Sequence, residues 1–145
     1  MLLSREYPER PFIGVGGVVI SGSRVLLIQR GNPPLEGQWS IPGGMLELGE
    51  TLIEGVRREL AEETGLDVRV LDLIEVFERV DLDQSGKPKY HFVVLDYLCE
   101  ASNDAASAGS DVVNVAWVER AELARYSLTP TATRVIAKAF GMAQE

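Results

Sequence analysis

Residues 44–66, GMLELGETLIEGVRRELAEETGL, set a glycine turn directly before a helical segment carrying Glu59, Glu62 and Glu63. Carboxylates spaced i, i+3 and i+4 meet on one helical face, where they repel unless solvated, protonated or bridged by cations. On a wheel of about 100° per residue, Leu52, Ile53, Val56 and Leu60 form an apolar stripe aimed at a core. Glu59 and Glu63 fall at its edge with Glu62 further round, so these three do not read as outward-pointing surface glutamates. Glu54, Arg57 and Ala61 take the solvated side. Partly desolvated carboxylates must raise their pKa or acquire positive charge. Hard divalent cations answer that need, and magnesium in particular binds through a few carboxylates while sharing substrate phosphates. An ordinary charged helix with incidental glutamates is the competing reading.

The flanks favour the cation. Thr51 followed by Glu54 forms a capping box that fixes the helix start, and Gly65 is placed to end it in a left-handed conformation. Gly43, Gly44 and Gly49 lie just upstream, where a backbone can turn tightly or approach a ligand. A carbonyl of that turn can reach the cation held by the helix carboxylates.

The stretch resembles the Nudix box, G-x5-E-x7-R-E-U-x-E-E-x-G-U with U aliphatic. Gly44, Glu50, Arg58, Glu59, Leu60, Glu62, Glu63, Gly65 and Leu66 fill its nine fixed positions. Trp39-Ser40-Ile41-Pro42-Gly43 and the strand-like residues 14–30 also look like the family. The resemblance implies that Glu59, Glu62 and Glu63, with the Gly44 carbonyl, hold magnesium or manganese. It implies too that Glu50 and Arg58 pair to brace the loop, and that the fold is an α/β/α sandwich with a mixed sheet between helices. The reaction implied is hydrolysis of a pyrophosphate bond in a nucleoside diphosphate joined to another group. A bound cation lowers the pKa of water and neutralises phosphate oxygens, and a carboxylate removes the proton.

That proton acceptor is Glu59 in some family members and a distant loop acid in others. Here residues 100–111, EASNDAASAGSD, read as a mobile loop with Asp104 and Asp111 as candidates. Arg30 and Arg79 could meet phosphate oxygens through their guanidinium forks. Trp39, Phe77, Tyr90 and Tyr97 could supply an aromatic face for a base, although aromatic strand residues also serve as core. His91 reads as an ordinary strand residue. Glu63→Gln is expected to remove activity with little loss of fold.

A chain of 145 residues with 46% hydrophobic content fits one domain with a sizeable core. No apolar run is long enough to span a bilayer, and the N-terminus has no charged-then-apolar signal. A soluble, cytoplasmic protein is expected. Cys99 is the sole cysteine, which excludes an internal disulfide and reads as a small buried hydrophobe. The formal net charge of −8, with no basic cluster, disfavours a long nucleic-acid strand, which needs a row of Lys and Arg.

Residues 12–20 and 24–30 read as a hairpin, with strands at 67–80, 90–100 and 112–119. Residues 32–37 read as a loop, 83–88 as a turn and 130–140 as a helix. Apolar strand surface leaves room for a homodimer. Among substrates, ADP-ribose-like compounds stand slightly ahead of nucleoside triphosphates. Many ADP-ribose pyrophosphatases carry a proline about 15 or 16 residues after the box, whereas here the next is Pro88, 22 residues after Leu66. A non-catalytic nucleotide sensor is the reading from another class.

Overall fold

A computed structural model describes residues 5–32 and 35–144, so Pro33 and Pro34 of the expected 32–37 loop lie outside the described residues. The strands are β1 (Phe12–Ser21), β2 (Arg24–Arg30), β3 (Trp39–Ser40), β4 (Gly43–Met45), β5 (Val68–Leu82), β6 (Pro88–Ala101) and β7 (Val112–Glu119). Helix α1 spans Leu52–Thr64 and α2 spans Pro130–Ala143, with a 3-10 helix at Arg120–Tyr126. The expected α/β architecture is present, with one layer of helix on each face of a mixed sheet.

The sheet runs β3-β2-β1-β6-β5, with β4 on β1 and β7 on β2. β1 and β6 are parallel, while β1–β2, β1–β4, β2–β3, β2–β7 and β5–β6 are antiparallel. Alternation along β1 sorts its side chains between two cores. Val15 and Val19 join Val56 and Leu60 of α1, together with Leu66 and Cys99. Val18 and Leu98 join Val135, Ile136, Ala139 and Phe140 of α2.

β1 pairs β2 only at Ile20 and Ser21, and its first half is instead flanked by β4 through Gly14↔Met45, Val15↔Gly44 and Gly16↔Gly43. That exchange of neighbours stitches the glycine turn into the sheet and sets it beside α1. The short strands β3 and β4 were not legible as elements, because two or three residues carry no periodicity.

The helix signals hold. Thr51 Oγ1 accepts from the Glu54 N–H at 3.1 Å, and Glu54 Oε1 accepts from the Thr51 N–H at 2.9 Å. Gly65 closes α1 at φ 72°. Glu54, Arg57 and Ala61 are exposed as the wheel required. Ile53 departs from it: the residue is 51% exposed, outside the line of Leu52, Val56 and Leu60 that packs into the core.

Residues 100–111 are a second correction. β6 continues through Ala101, and residues 102–111 are tied down rather than free. The Ser107 N–H donates to Thr64 O at 2.9 Å and the Gly109 N–H to Glu63 O at 3.1 Å. These bonds satisfy carbonyls at the α1 C-terminus that the helix leaves unpaired. A Cβ at Gly109 would lie 2.0 Å from the Glu62 carbonyl oxygen, so only glycine allows this approach.

No helix among the described residues is long and apolar enough to cross a membrane. Exposed apolar residues do gather on one sheet face, where Ile13, Val76, Val80 and Leu82 extend beyond the cover of α1.

Candidate active site

Glu59 projects from α1 onto the glycine turn. A Cβ at Gly44 would come within 2.5 Å of the Glu59 carboxyl carbon and both its oxygens, so that carboxylate rests on bare backbone. Glu63, one turn on, is 5% exposed. Its Oε1 accepts the Gly43 N–H at 2.8 Å and its Oε2 accepts from Arg30 Nη1 at 2.8 Å. The two acids therefore clamp consecutive glycines from the helix side.

Arg58 binds the group together. Its Nε and Nη2 donate to the two Glu50 oxygens at 2.6 and 3.0 Å, a bidentate fork. Nη2 also donates to the Met45 carbonyl at 2.9 Å. Nη1 donates to Glu59 Oε1 at 2.9 Å and to Glu62 Oε2 at 3.3 Å. The expected pairing of Glu50 with Arg58 is thus present and braces loop against helix. The guanidinium hydrogen bond holds the Glu50 carboxyl below its usual range, and Glu50 in turn holds Arg58 still more firmly charged.

Burial is the largest influence on both inner acids and raises each above an ordinary glutamate. Arg58 pulls Glu59 back and Glu62 pushes it further up. For Glu63, Arg30 and the Gly43 N–H oppose the rise. Five carboxylates, Glu47, Glu50, Glu59, Glu62 and Glu63, face two guanidiniums, Arg30 and Arg58, leaving an excess of three negative charges when all are ionised.

That donor set fits a divalent cation in charge and in hard oxygen chemistry. Gly44 must lack a side chain for the Glu59 carboxylate to lie where it does. The Ser40 hydroxyl adds a second observation, being buried without a hydrogen-bond partner and placed by β-alternation on the face that carries Arg30. Among the described residues no three His, Cys, Asp or Glu side chains already converge on one point, since Arg58 and Arg30 hold the carboxylate oxygens.

Two site expectations need correcting. The Glu62 side chain is 47% exposed, an outward-facing acid rather than a desolvated one. Glu63 is a structural clamp, so Glu63→Gln must sacrifice either the Gly43 or the Arg30 bond and is not neutral for the fold.

Of the loop acids, Asp104 lies away from the turn, 3.5 Å from Arg24, with its carbonyl accepting the Trp117 indole N–H at 2.9 Å. Asp111 sits nearer, left-handed at φ 59°. Its carboxylate accepts from Asn32 Nδ2 at 2.8 Å and its carbonyl from the Gly31 N–H at 2.9 Å. Arg30 is brought to the box, although on Glu63 rather than left free. Arg79 is not: it pairs with Asp81 of its own strand at 2.8 Å, opposite Phe92. Trp39 packs edge-on against Tyr126 at 5.1 Å and borders the α2 core. Cys99 is buried, as expected.

Sequence reasoning passed over Asp96, 4% exposed in the middle of β6. Its signal was an acid within the apolar run FVVLDYLC.

A mixed sheet between two helices, with a desolvated acid cluster folded onto a glycine turn, defines the class. A family model described as NUDIX domain matches residues 10–139. The chain is 36% identical over 101 residues to "ADP-ribose pyrophosphatase" of Methanocaldococcus jannaschii, covering 70% of this chain and 57% of that protein. It is 49% identical over 57 residues to "Putative 8-oxo-dGTP diphosphatase 2" of Mycobacterium tuberculosis, 39% of this chain and 40% of that one. It thus spans about half the length of these relatives. A solved MutT NUDIX hydrolase from Burkholderia pseudomallei superposes with a TM-score of 0.76 at 26% identity, covering 90% of this chain and 98% of that one. The protein belongs to the NUDIX family.

Proposed function

We propose that this protein is a divalent-metal-dependent pyrophosphohydrolase, a single catalytic domain acting on nucleoside diphosphates joined to another group. The observation that carries the reading is the clamp of Glu59 and Glu63 on Gly43–Gly44: desolvated acid oxygens with excess negative charge, set on the bare backbone of the turn. Magnesium, with manganese as a substitute, would be held by Glu59, Glu62 and Glu63 with the Gly44 backbone. When bound it supplies an acidified water and neutralises phosphate oxygens. Because Arg58 spans Glu59 and Glu62, occupancy requires it to loosen its Nη1 contacts while its fork to Glu50 keeps the turn in place.

Glu59 is the proton acceptor in this reading, because its carboxylate lies directly on the Gly44 backbone of the turn. Asp111 is the alternative acceptor, although Asn32 holds its carboxylate. Arg30 orients Glu63 and can meet a phosphate oxygen on its own half-exposed side. ADP-ribose-like substrates are favoured by the relative named for that activity. Nucleoside triphosphates are the second reading, supported by the relative named for 8-oxo-dGTP.

Product analysis separates the two. AMP and ribose 5-phosphate released from ADP-ribose support the first; a nucleoside monophosphate and pyrophosphate from one triphosphate support the second. Tight binding of either class without turnover would replace both with a sensor.

A further inference from the structure

Helix α1 ends at Thr64, so Glu62 and Glu63 stand in its last turn, where carbonyls have no partner along the helix and the backbone frays. No basic side chain lies in that turn to offset those carbonyls. Their partners come instead from residues 102–111. The Ser107 N–H donates to the Thr64 carbonyl and the Gly109 N–H to the Glu63 carbonyl. The Glu62 carbonyl oxygen lies only 2.0 Å from where a Cβ of Gly109 would be. One segment therefore meets three successive carbonyls of the helix end, two of them on the residues whose side chains belong to the acid cluster.

The same segment is fastened at its other end to the strand that carries Arg30. Residues 109–112 form a turn closed by the Val112 N–H on the Gly109 carbonyl at 3.0 Å, with Asp111 left-handed within it. That turn sends the Gly109 N–H to α1 and the Asp111 carbonyl to the end of β2, where the Gly31 N–H donates to it at 2.9 Å. Asn32 adds its side-chain bond to the Asp111 carboxylate. Arg30, next in the chain to Gly31, holds Glu63 Oε2. The contacts close into a ring. Glu63 is gripped at its carboxylate by Arg30 and at its carbonyl by Gly109, and the two grips are joined through Gly31 and Asp111. Glu59 and the Glu50–Arg58 fork take none of these bonds.

We propose that residues 107–111 buttress the last turn of α1 and so position Glu62 and Glu63 as cation ligands, with Gly109 as the positioning residue. This rests on the proposed function, which makes those two acids ligands. A ligating side chain keeps its affinity only when the groups behind it hold it within about 0.5 Å of its place. A side chain at Gly109 would run into the Glu62 carbonyl. The segment must then lift off the helix, which frees the Glu63 and Thr64 carbonyls together. Glu63 keeps only its side-chain bonds in that state, and Glu62 loses the backbone that fixes its direction.

The test compares wild type with Gly109→Ala, Asn32→Ala and Thr129→Ala, the last removing the hydroxyl that caps α2 on the opposite face of the sheet. Manganese binding without nucleotide is read from the paramagnetic resonance of the free ion. Exchange of the Gly43 amide, whose acceptor is Glu63 Oε1, is read by NMR on the metal-free protein. Gly109→Ala should bind manganese about tenfold more weakly than wild type. Asn32→Ala, which frees one bond at the far end of the ring, should bind it about two- to fivefold more weakly. Thr129→Ala should stay within about twofold of wild type, and its Gly43 amide should exchange about tenfold more slowly than that of Gly109→Ala. A general loss of stability would move both variants alike. Manganese affinity in Gly109→Ala within about twofold of wild type, or Gly43 exchange no faster than in Thr129→Ala, overturns the assignment. Where Gly109→Ala does not fold, Asn32→Ala decides by the same two readings. A wild type that takes up no manganese would defeat the proposed function, and the metal-free exchange of Gly43 would still uphold or overturn the hold on Glu63.

Discussion

Asp96 gives the most quantitative stability prediction. Burial, reinforced by Glu75, pushes its carboxyl up to about 6 from an ordinary value of 3.8. At about 1.4 kcal/mol per pH unit, ionising the folded protein there costs ~3 kcal/mol more than ionising the unfolded chain. Between the two values the folded state binds more protons than the unfolded one. Stability from this group is therefore full below about pH 4 and is lost as pH rises through 6. Asp96→Asn cannot titrate, so its stability relative to wild type should climb by about 2–3 kcal/mol between pH 4 and pH 7, whatever its offset at the acid end. Urea unfolding of both proteins at pH steps across that window, without nucleotide, measures the difference with other acids cancelling. A flat difference would refute the argument, showing that Asp96 has a donor or reaches solvent freely.

Other perturbations follow from the same geometry. Glu62→Gln should lower metal-dependent turnover at least about tenfold while unfolding stays within about 0.5 kcal/mol of wild type, because the side chain is half-exposed; steady-state kinetics and urea melts check the pair. Thr51→Ala removes one arm of the capping box and should cost about 1 kcal/mol in a denaturant melt, with KM little changed. Gly109→Ala forces a Cβ onto the Glu62 carbonyl and should destabilise the protein by roughly 1–3 kcal/mol. Hydrogen exchange at the Ser107 and Gly109 amides should rise more than elsewhere.

How far the sequence could be read depended on the kind of signal. Helix α1 was legible to the residue because cap, stripe and terminal glycine all lie within one local stretch, and the Glu50–Arg58 brace came with its motif. Ile53 was misplaced because a wheel assumes a core along the whole stripe, whereas the sheet covers only part of it. The 102–111 loop looked free because small polar residues carry no periodicity. Its anchors are carbonyls of Thr64 and Glu63, far off in sequence and invisible as a pattern. Glu63 was assigned to a shared acidic face, yet its partners Arg30 and Gly43 come from β2 and β4, which only the strand pairing brings near. Asp96 was missed for the same reason, since its meaning depends on Gly16 and Glu75 lying across neighbouring strands. Local chemistry was readable, and chemistry assembled across the sheet was not.

The central claim is that the acid cluster on the glycine turn works by taking a divalent cation. Its most direct test is a magnesium titration of pyrophosphate-bond hydrolysis, with ADP-ribose and the common nucleoside triphosphates as substrates, for wild type beside Glu62→Gln. Saturable magnesium dependence in the wild type, with a weaker apparent metal affinity and slower turnover in the variant, is the predicted result. Hydrolysis that persists in excess chelator, or an unchanged metal titration in Glu62→Gln, would contradict it.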